Sequence, residues 1–215
     1  MTEQVVVVVS GGEPPSSRAA QLVPAGARVI AADGGLEHAR LLGLRVGVAV
    51  GDFDSASPES VAAAEATGTR VQRHPREKDA TDLELALDEA LDMGAERIVV
   101  LAGSGGRLDH ELATLLLLSA ERYTGVTIDA LIGDARVHVV RGERLLEGVP
   151  GELVSLLPVH GPAIGVRTEG LAYPLRGETL TAGSTRGVSN VFASERAHVS
   201  LESGVLLAIR PGDAA

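Results

Sequence analysis

The chain has 215 residues, of which 45% are hydrophobic, and 19 Lys and Arg stand against 29 Asp and Glu for a net charge of −10. No basic block interrupts that acidic balance, which argues against a nucleic-acid partner, and apolar stretches such as residues 5–9 and 115–118 fall far short of the roughly 18 residues that span a bilayer. With no cysteine, disulfides, thiolate catalysis and cysteine-ligated metals are excluded. Residues 1–4 carry no positive charge and run into a valine stretch, so the expectation is no secretory signal, no membrane association and a cytoplasmic location. Aromatic residues are 2% of the chain, which makes the predicted core aliphatic.

In chain order, residues 4–10 form a first strand ending in Ser10-Gly11-Gly12, and residues 28–32 a second ending in Asp33-Gly34-Gly35. Residues 46–51 form a third strand, which runs into Asp52-Phe53-Asp54-Ser55. Ser57, Pro58 and Glu59 mark a helix start with proline at its first position. After a fourth strand over 69–73 comes Lys78-Asp79-Ala80-Thr81-Asp82, in which Thr81 and Glu84 form a capping box. Leu83, Leu87, Ala90 and Leu91 then recur at i, i+4, i+7 and i+8, one face of a helix. A fifth strand over 97–102 leads through Gly103-Ser104-Gly105-Gly106-Arg107-Leu108-Asp109-His110 into a helix over 109–122. This alternation predicts an α/β domain on a largely parallel sheet. From about Gly125 the helical period disappears, and apolar runs at 137–140, 153–157, 164–167, 188–192, 197–201 and 205–209 predict a small antiparallel β-sandwich. The boundary near Gly133 gives an α/β domain over 1–133 and a β-sandwich domain over 134–215.

In an open parallel sheet, ligands bind at the carboxyl ends of the strands, and the unusual clusters of the first domain all map there. Asp52 and Asp54 repel one another at the end of an apolar strand unless a cation relieves them, and a hard divalent metal is the natural partner. Arg107 opposes the dipole of the helix it precedes, which makes sense if an anion such as phosphate sits beside the glycine loop. Plainer readings remain for each cluster taken singly. Asp33-Gly34-Gly35 reads as a turn, Asp79 and Asp82 as helix-terminus acids, Lys78 as a surface lysine, Asp109 as a cap, and Ser189 with Asn190 as a strand-end turn.

Together, Asp33-Gly34-Gly35, Gly51-Asp52-Phe53-Asp54-Ser55, Lys78-Asp79-Ala80-Thr81-Asp82 and Gly105-Gly106-Arg107-Leu108-Asp109-His110 resemble the ordered motif series of the thiamine pyrophosphokinase family. Tyr173-Pro174-Leu175 and the stretch from Ser184 to Asn190 are similar to that family's carboxyl-terminal signature. The resemblance implies an α/β catalytic domain followed by a β-sandwich domain that binds thiamine and dimerises. It implies pyrophosphoryl transfer from ATP to the hydroxyl of thiamine, release of AMP, a requirement for Mg²⁺, and a homodimer whose subunits share each thiamine site. Carried onto this sequence, it implies catalytic roles for Asp52, Asp54, Asp82 and Arg107, with Asp52, Asp54 and Asp82 holding the metal. Nucleotide contacts fall at Gly11, Gly12, Lys78, Asp79, Thr81, Gly105, Gly106, Arg107, Asp109 and His110. Thiamine contacts fall at Asp33, Gly34, Tyr173, Ser189 and Asn190, with Tyr173 the nearest substitute for a tryptophan that some members set against thiamine. Two other functions fit parts of the pattern: a metal-dependent phosphatase using Asp52-x-Asp54 through a phosphoenzyme, and a non-catalytic nucleotide- or vitamin-binding module.

Overall fold

A run of five valines, β-branched and with no polar group to expose, builds the central strand of the first unit, β1 (Val5–Val9), in the computed structural model, which describes residues 3–212. The remaining elements of that unit are β2 (Arg28–Ala32), α1 (Gly35–Leu41), β3 (Val48–Gly51), α2 (Pro58–Ala66), β4 (Arg70–Arg73), α3 (Asp82–Asp92), β5 (Arg97–Ala102), α4 (Leu108–Leu118) and β6 (Thr127–Ile132). Its strands lie in the order β6-β5-β1-β2-β3-β4 and all pair in parallel. Alternate residues face opposite ways along each strand. Val7, Val9, Val29, Ala31 and Ala49 therefore cluster with Leu36 and Ala39 of α1 and Val61 of α2. On the other face α3 packs on β1, β2 and β3 through the buried Leu83, Ala86, Leu87 and Ala90. The expected helix starts are present: Ser57 Oγ accepts from Ser60 N with Pro58 next in line, and Thr81 Oγ1 accepts from Glu84 N.

Two elements of this unit have no counterpart in the sequence reading. The helix α1 is only 7 residues long and starts on glycine, too short to display a period. The strand β6 carries Asp129 at its centre, which breaks the apolar run; the Arg97 guanidinium, 2.7 Å away on the paired strand, meets its charge. The helix expected over 109–122 stops at Leu118, and a 3₁₀ turn at Glu121–Tyr123 follows, with Tyr123 fully buried.

The second unit contains β7 (Ala135–Val140), β8 (Glu143–Glu147), β9 (Leu153–Pro158), β10 (Ala163–Glu169), β11 (Arg176–Leu180), β12 (Asn190–Val191), β13 (Arg196–Ser200) and β14 (Leu206–Arg210). The orders β12-β9-β14-β7 and β11-β10-β13-β8 are antiparallel throughout. Val154, Leu156 and Leu206 from the one and Leu146, Val166 and Val199 from the other share one core, which makes this unit the expected sandwich. The strands β8 and β11 escape sequence detection because they are edge strands interrupted by charged residues, a composition that blunts edge pairing. By contacts, the first unit comprises Met1–Thr114 and Gly125–Gly133, and the second Leu115–Thr124 and Asp134–Ala215. This differs from a single cut at 133, because Arg141 donates to the Ser119 and Ala120 carbonyls at 2.7 and 2.9 Å and thereby draws residues 115–124 into the second unit. Burial lowers the pKa of the Arg141 guanidinium, whose position is set by those carbonyls. Among the described residues no helix is long and apolar enough to cross a membrane.

Close approach requires glycine at position 35. A Cβ on Gly35 would lie 2.1 Å from the Val9 carbonyl oxygen, a backbone atom that cannot yield, whereas a Cβ on Gly47 would meet its nearest neighbour at an ordinary 3.6 Å. Gly35→Ala is therefore expected to cost about 2 kcal/mol in urea unfolding, and Gly47→Ala to change stability by less than about 1 kcal/mol. Equal effects at the two positions would contradict the packing described.

Candidate active site

The carboxyl ends of β1, β2 and β3 meet through glycine. A Cβ on Gly11 would lie 3.2 Å from Gly34 N, and one on Gly34 3.7 Å from the Ser55 Cβ, so the first three motifs form one floor. The backbone leaves regular geometry there. Asp33 and Phe53 take positive φ, 47° and 59°, a conformation that L-residues hold only when their surroundings impose it. Asp33 is imposed upon by its N–H, which donates to the Val50 carbonyl at 2.8 Å, and Phe53 by burial of its ring beneath the Arg73 guanidinium, 5.4 Å from the centroid. The effect is to send the Asp33 and Asp52 side chains toward one point.

At that point Asp33, Asp52 and Asp82 each bring a carboxylate oxygen within 4.8 Å of the others. Lys78 lies among them, its Nζ 3.3 Å from Asp52 Oδ2 and 3.1 Å from Asp82 Oδ1. The electrostatics are unequal. Asp52 accepts from the Asp54 N–H and pairs with Lys78, which hold its pKa below the ordinary value. Burial pushes the Asp82 carboxyl up, and the charges of Asp52 and Asp33 add to that rise against the pull of Lys78. For Lys78, burial works against the charged form, but its contacts with Asp82 and Asp52 prevail and raise it. The buried Asp33 Oδ1 has no hydrogen-bond donor, and the buried Asp82 Oδ1 has only the ion pair with Lys78. Three converging carboxylates with an unsatisfied buried oxygen among them are the chemistry of a hard divalent cation site.

The sequence reading placed Asp54 in this group and Asp33 outside it; the structure has the reverse arrangement. The side chain of Asp54 is 45% exposed and is taken up by Arg76 at 3.3 Å and by the Ser55 hydroxyl at 3.2 Å. The turn that aims Asp52 inward turns its neighbour out. The signal for Asp33 was available: β2 and β3 are neighbouring strands, so their terminal aspartates end side by side. Gly12, Asp79, Thr81 and His110 are exposed near their own motifs, and Asp79 and His110 have no side-chain partner in the cluster.

The glycine loop is closed on itself. The Arg107 guanidinium, which the sequence reading aimed at phosphate, pairs with Asp109 at 2.6 Å, and that ion pair depresses the Asp109 pKa. The Gly105 N–H donates to Glu111 Oε1 at 2.7 Å. Glu111 was missed by sequence reasoning, although an acidic residue in the first turn of a helix is the expected partner for free amides ahead of it.

In the second unit Tyr173 is 60% exposed, and both of its backbone groups are held by Asn190, whose side chain is buried. Asn190 Oδ1 accepts from Tyr173 N at 3.0 Å, and Nδ2 donates to Tyr173 O at 2.7 Å. The Asn190 amide is thus occupied by backbone, while Ser189, at φ 57°, is exposed and donates its N–H to Ser155 Oγ at 3.1 Å.

The family model described as thiamin pyrophosphokinase, catalytic domain, matches residues 19–130, and the one described as thiamin pyrophosphokinase, vitamin B1 binding domain, matches residues 136–206. The thiamine pyrophosphokinase of Bacillus subtilis (strain 168) is 32% identical over 169 residues, covering 77% of this chain and 78% of that protein. The crystal structure of the Bacillus subtilis thiamine pyrophosphokinase aligns with 98% of this chain and 100% of its own at a TM-score of 0.85 and 27% identity. That of a thiamin pyrophosphokinase family protein from Enterococcus faecalis aligns with 99% and 100% at a TM-score of 0.81 and 28% identity.

The raised pKa of Asp82 sets a direction for stability. A carboxyl with a higher pKa in the folded state favours folding most fully below its unfolded value and loses that contribution as pH rises through the folded one. In metal-free buffer at pH 7, Asp82→Asn is therefore expected to melt above the unaltered protein. That advantage should vanish below pH of about 4. Calorimetry across pH provides the check, and a lower melting temperature for the variant at pH 7 would contradict the assignment.

Proposed function

Since the chain belongs to the thiamin pyrophosphokinase family and makes thiamine diphosphate by moving pyrophosphate from ATP to the hydroxyl of thiamine, we propose that the carboxylate cluster of the first unit is the centre of that transfer. The observation that carries this reading is the convergence of Asp33, Asp52 and Asp82, whose carboxylate oxygens lie within 4.8 Å of one another, with the buried Asp33 Oδ1 met by no protein donor. Asp33, Asp52 and Asp82 are the residues that would hold a magnesium ion, which when bound offsets the negative charge of the ATP phosphates. Asp54 has no part in that ligand set.

In the reaction the thiamine oxygen bonds to the β-phosphorus of ATP, the bond from that phosphorus to the α–β bridging oxygen breaks, and AMP departs with the electron pair. Lys78 and Arg107 offset the charge that develops on the phosphates, Arg107 by exchanging Asp109 for the nucleotide. The amides of Gly11, Gly12, Gly105 and Gly106 are proposed phosphate donors, with Asp79, Thr81 and His110 along the same edge. The hydroxyl must lose its proton, and Asp82 or Asp33 is the proposed acceptor. A loose transition state demands positioning more than a strong base.

Thiamine is proposed to lie against the exposed ring of Tyr173, with Ser189 a further proposed contact of the same unit. A homodimer is supported by Leu108, Leu112 and Leu116, which recur at i, i+4 and i+8 of α4 and are 77%, 55% and 38% exposed. Consumption of ATP suits a cytoplasmic setting. A phosphatase with Asp52 as nucleophile is not favoured, since both of that carboxylate's oxygens are engaged, by the Asp54 N–H and by Lys78.

Incubation with thiamine, ATP and Mg²⁺ should yield equimolar thiamine diphosphate and AMP by mass spectrometry. Asp52→Asn should reduce kcat about 100-fold or more, as should chelation of the metal, while Asp54→Asn stays within about threefold. Phosphate release without AMP, or equal losses at Asp52 and Asp54, would overturn the site proposed. Leu112→Glu should shift the sedimentation coefficient from dimer to monomer; an unchanged value would remove α4 from the interface.

A further inference from the structure

The strand β12 has only two residues, Asn190 and Val191, paired with Val154 and Leu153. On its other side it faces an irregular stretch that joins β10 to β11 and contains Tyr173. Backbone pairing there is limited to the bridge between Leu171 and Phe192, with the Ala172 N–H donating to the Val191 carbonyl and the Ala193 N–H to the Gly170 carbonyl, each at 2.8 Å. Beyond Ala172 the ladder stops, and Pro174 has no N–H to continue it. The N–H and C=O of Tyr173 would then be left to solvent. Instead the Asn190 carboxamide takes both, its oxygen accepting and its NH₂ donating. The assignment of its two ends follows from the partners, because the reverse orientation would set donor against donor and acceptor against acceptor.

We infer that Asn190 is a positioning residue for thiamine, acting by fixing the backbone of Tyr173 so that its ring is presented outward in one orientation. This rests on the reading that Tyr173 lies against thiamine. A free tyrosine on an irregular segment would sample many backbone states, and each would have to be given up on binding. Here the cost is met during folding. The Asn190 amide is turned into the protein and away from a ligand: Oδ1 also receives the Val191 N–H at 2.9 Å, and the residue is 5% exposed. Leu175 anchors the far end of the segment, its N–H donating to Thr168 Oγ1 at 2.9 Å and its carbonyl accepting from Thr168 N at 3.0 Å. Tyr173 therefore sits between two fixed points, with Asn190 its own grip.

The test is a double-mutant cycle on the full chain, read as separate KM values for thiamine and ATP and as kcat. Asn190→Asp keeps the size and the acceptor but opposes the Tyr173 carbonyl with a second oxygen. It is expected to raise KM for thiamine about tenfold, the loss of roughly one buried hydrogen bond, with KM for ATP and kcat within about twofold. In a Tyr173→Ala background the same substitution should add nothing, because the ring it positions is gone. Additive effects of the two changes, or an unchanged KM for thiamine in Asn190→Asp, would overturn the inference while leaving Tyr173 in place. If Tyr173→Ala alone leaves KM for thiamine unchanged, the reading of Tyr173 fails, and Asn190 falls with it. Hydrogen exchange on the unaltered protein needs no variant: the Tyr173 N–H should be protected to a degree similar to the Ala172 N–H, and exchange at the rate of a free amide would overturn the grip itself.

Discussion

Like charge held together is what the first unit is built to sustain. Carboxylates 4.8 Å apart repel by about 3 kcal/mol at an effective dielectric constant of about 20, and Asp33, Asp52 and Asp82 are at least that close in each pairing. Lys78 relieves part of the repulsion from within the protein. What remains is visible in the raised Asp82 pKa and in the buried Asp33 Oδ1 that no donor reaches. A site of this kind gives up stability in exchange for affinity toward a cation, a common trade at catalytic centres.

Such a site needs a support that does not give way. The parallel sheet supplies it, because β1 is fully flanked, by β5 on one side and β2 on the other, and residues Val6 to Val9 have no exposure at all. Aliphatic side chains in close packing resist displacement. Strain is therefore confined to the strand ends, where Asp33 and Phe53 adopt positive φ and turn their neighbours' side chains inward or outward. The near absence of aromatic residues is part of the same design: the one ring at this edge, Phe53, is used as a wedge under the loop that carries Asp52 and Asp54.

The second unit meets the opposite requirement with a related device. There the sheet runs out at β12, and a side-chain amide completes what backbone pairing cannot. An ion pair links Arg210 to Glu152, and the Glu152 carbonyl accepts from Phe192 N at 2.9 Å, so the short strand is held at Asn190 and again two residues on. Regular structure provides the frame in both units. The groups that bear on function are placed where regular structure ends.

Much of this was legible without coordinates, because hydrophobic periodicity and turn chemistry are local properties. The five valines of β1, the caps at Ser57 and Thr81, the glycine-terminated strands and the change of pattern after Gly125 each follow from neighbouring residues alone. So does the collection of Asp33, Asp52, Lys78, Asp82 and Arg107 at one edge, given a parallel sheet. Elements whose pattern is broken by a charge, such as β6 with Asp129, or by a charged edge, such as β8, were not legible, since the compensating partner lies far away in sequence. The sequence by itself determined the α/β and sandwich architecture and the residue types available for chemistry. Only the tertiary structure decided that Asp33 and not Asp54 joins Asp52 and Asp82, that Glu111 closes the glycine loop, and that Asn190 holds Tyr173. Those choices depend on backbone angles at single residues and on contacts between distant segments, and a positive φ at Phe53 is enough to exchange which of two neighbouring aspartates faces inward.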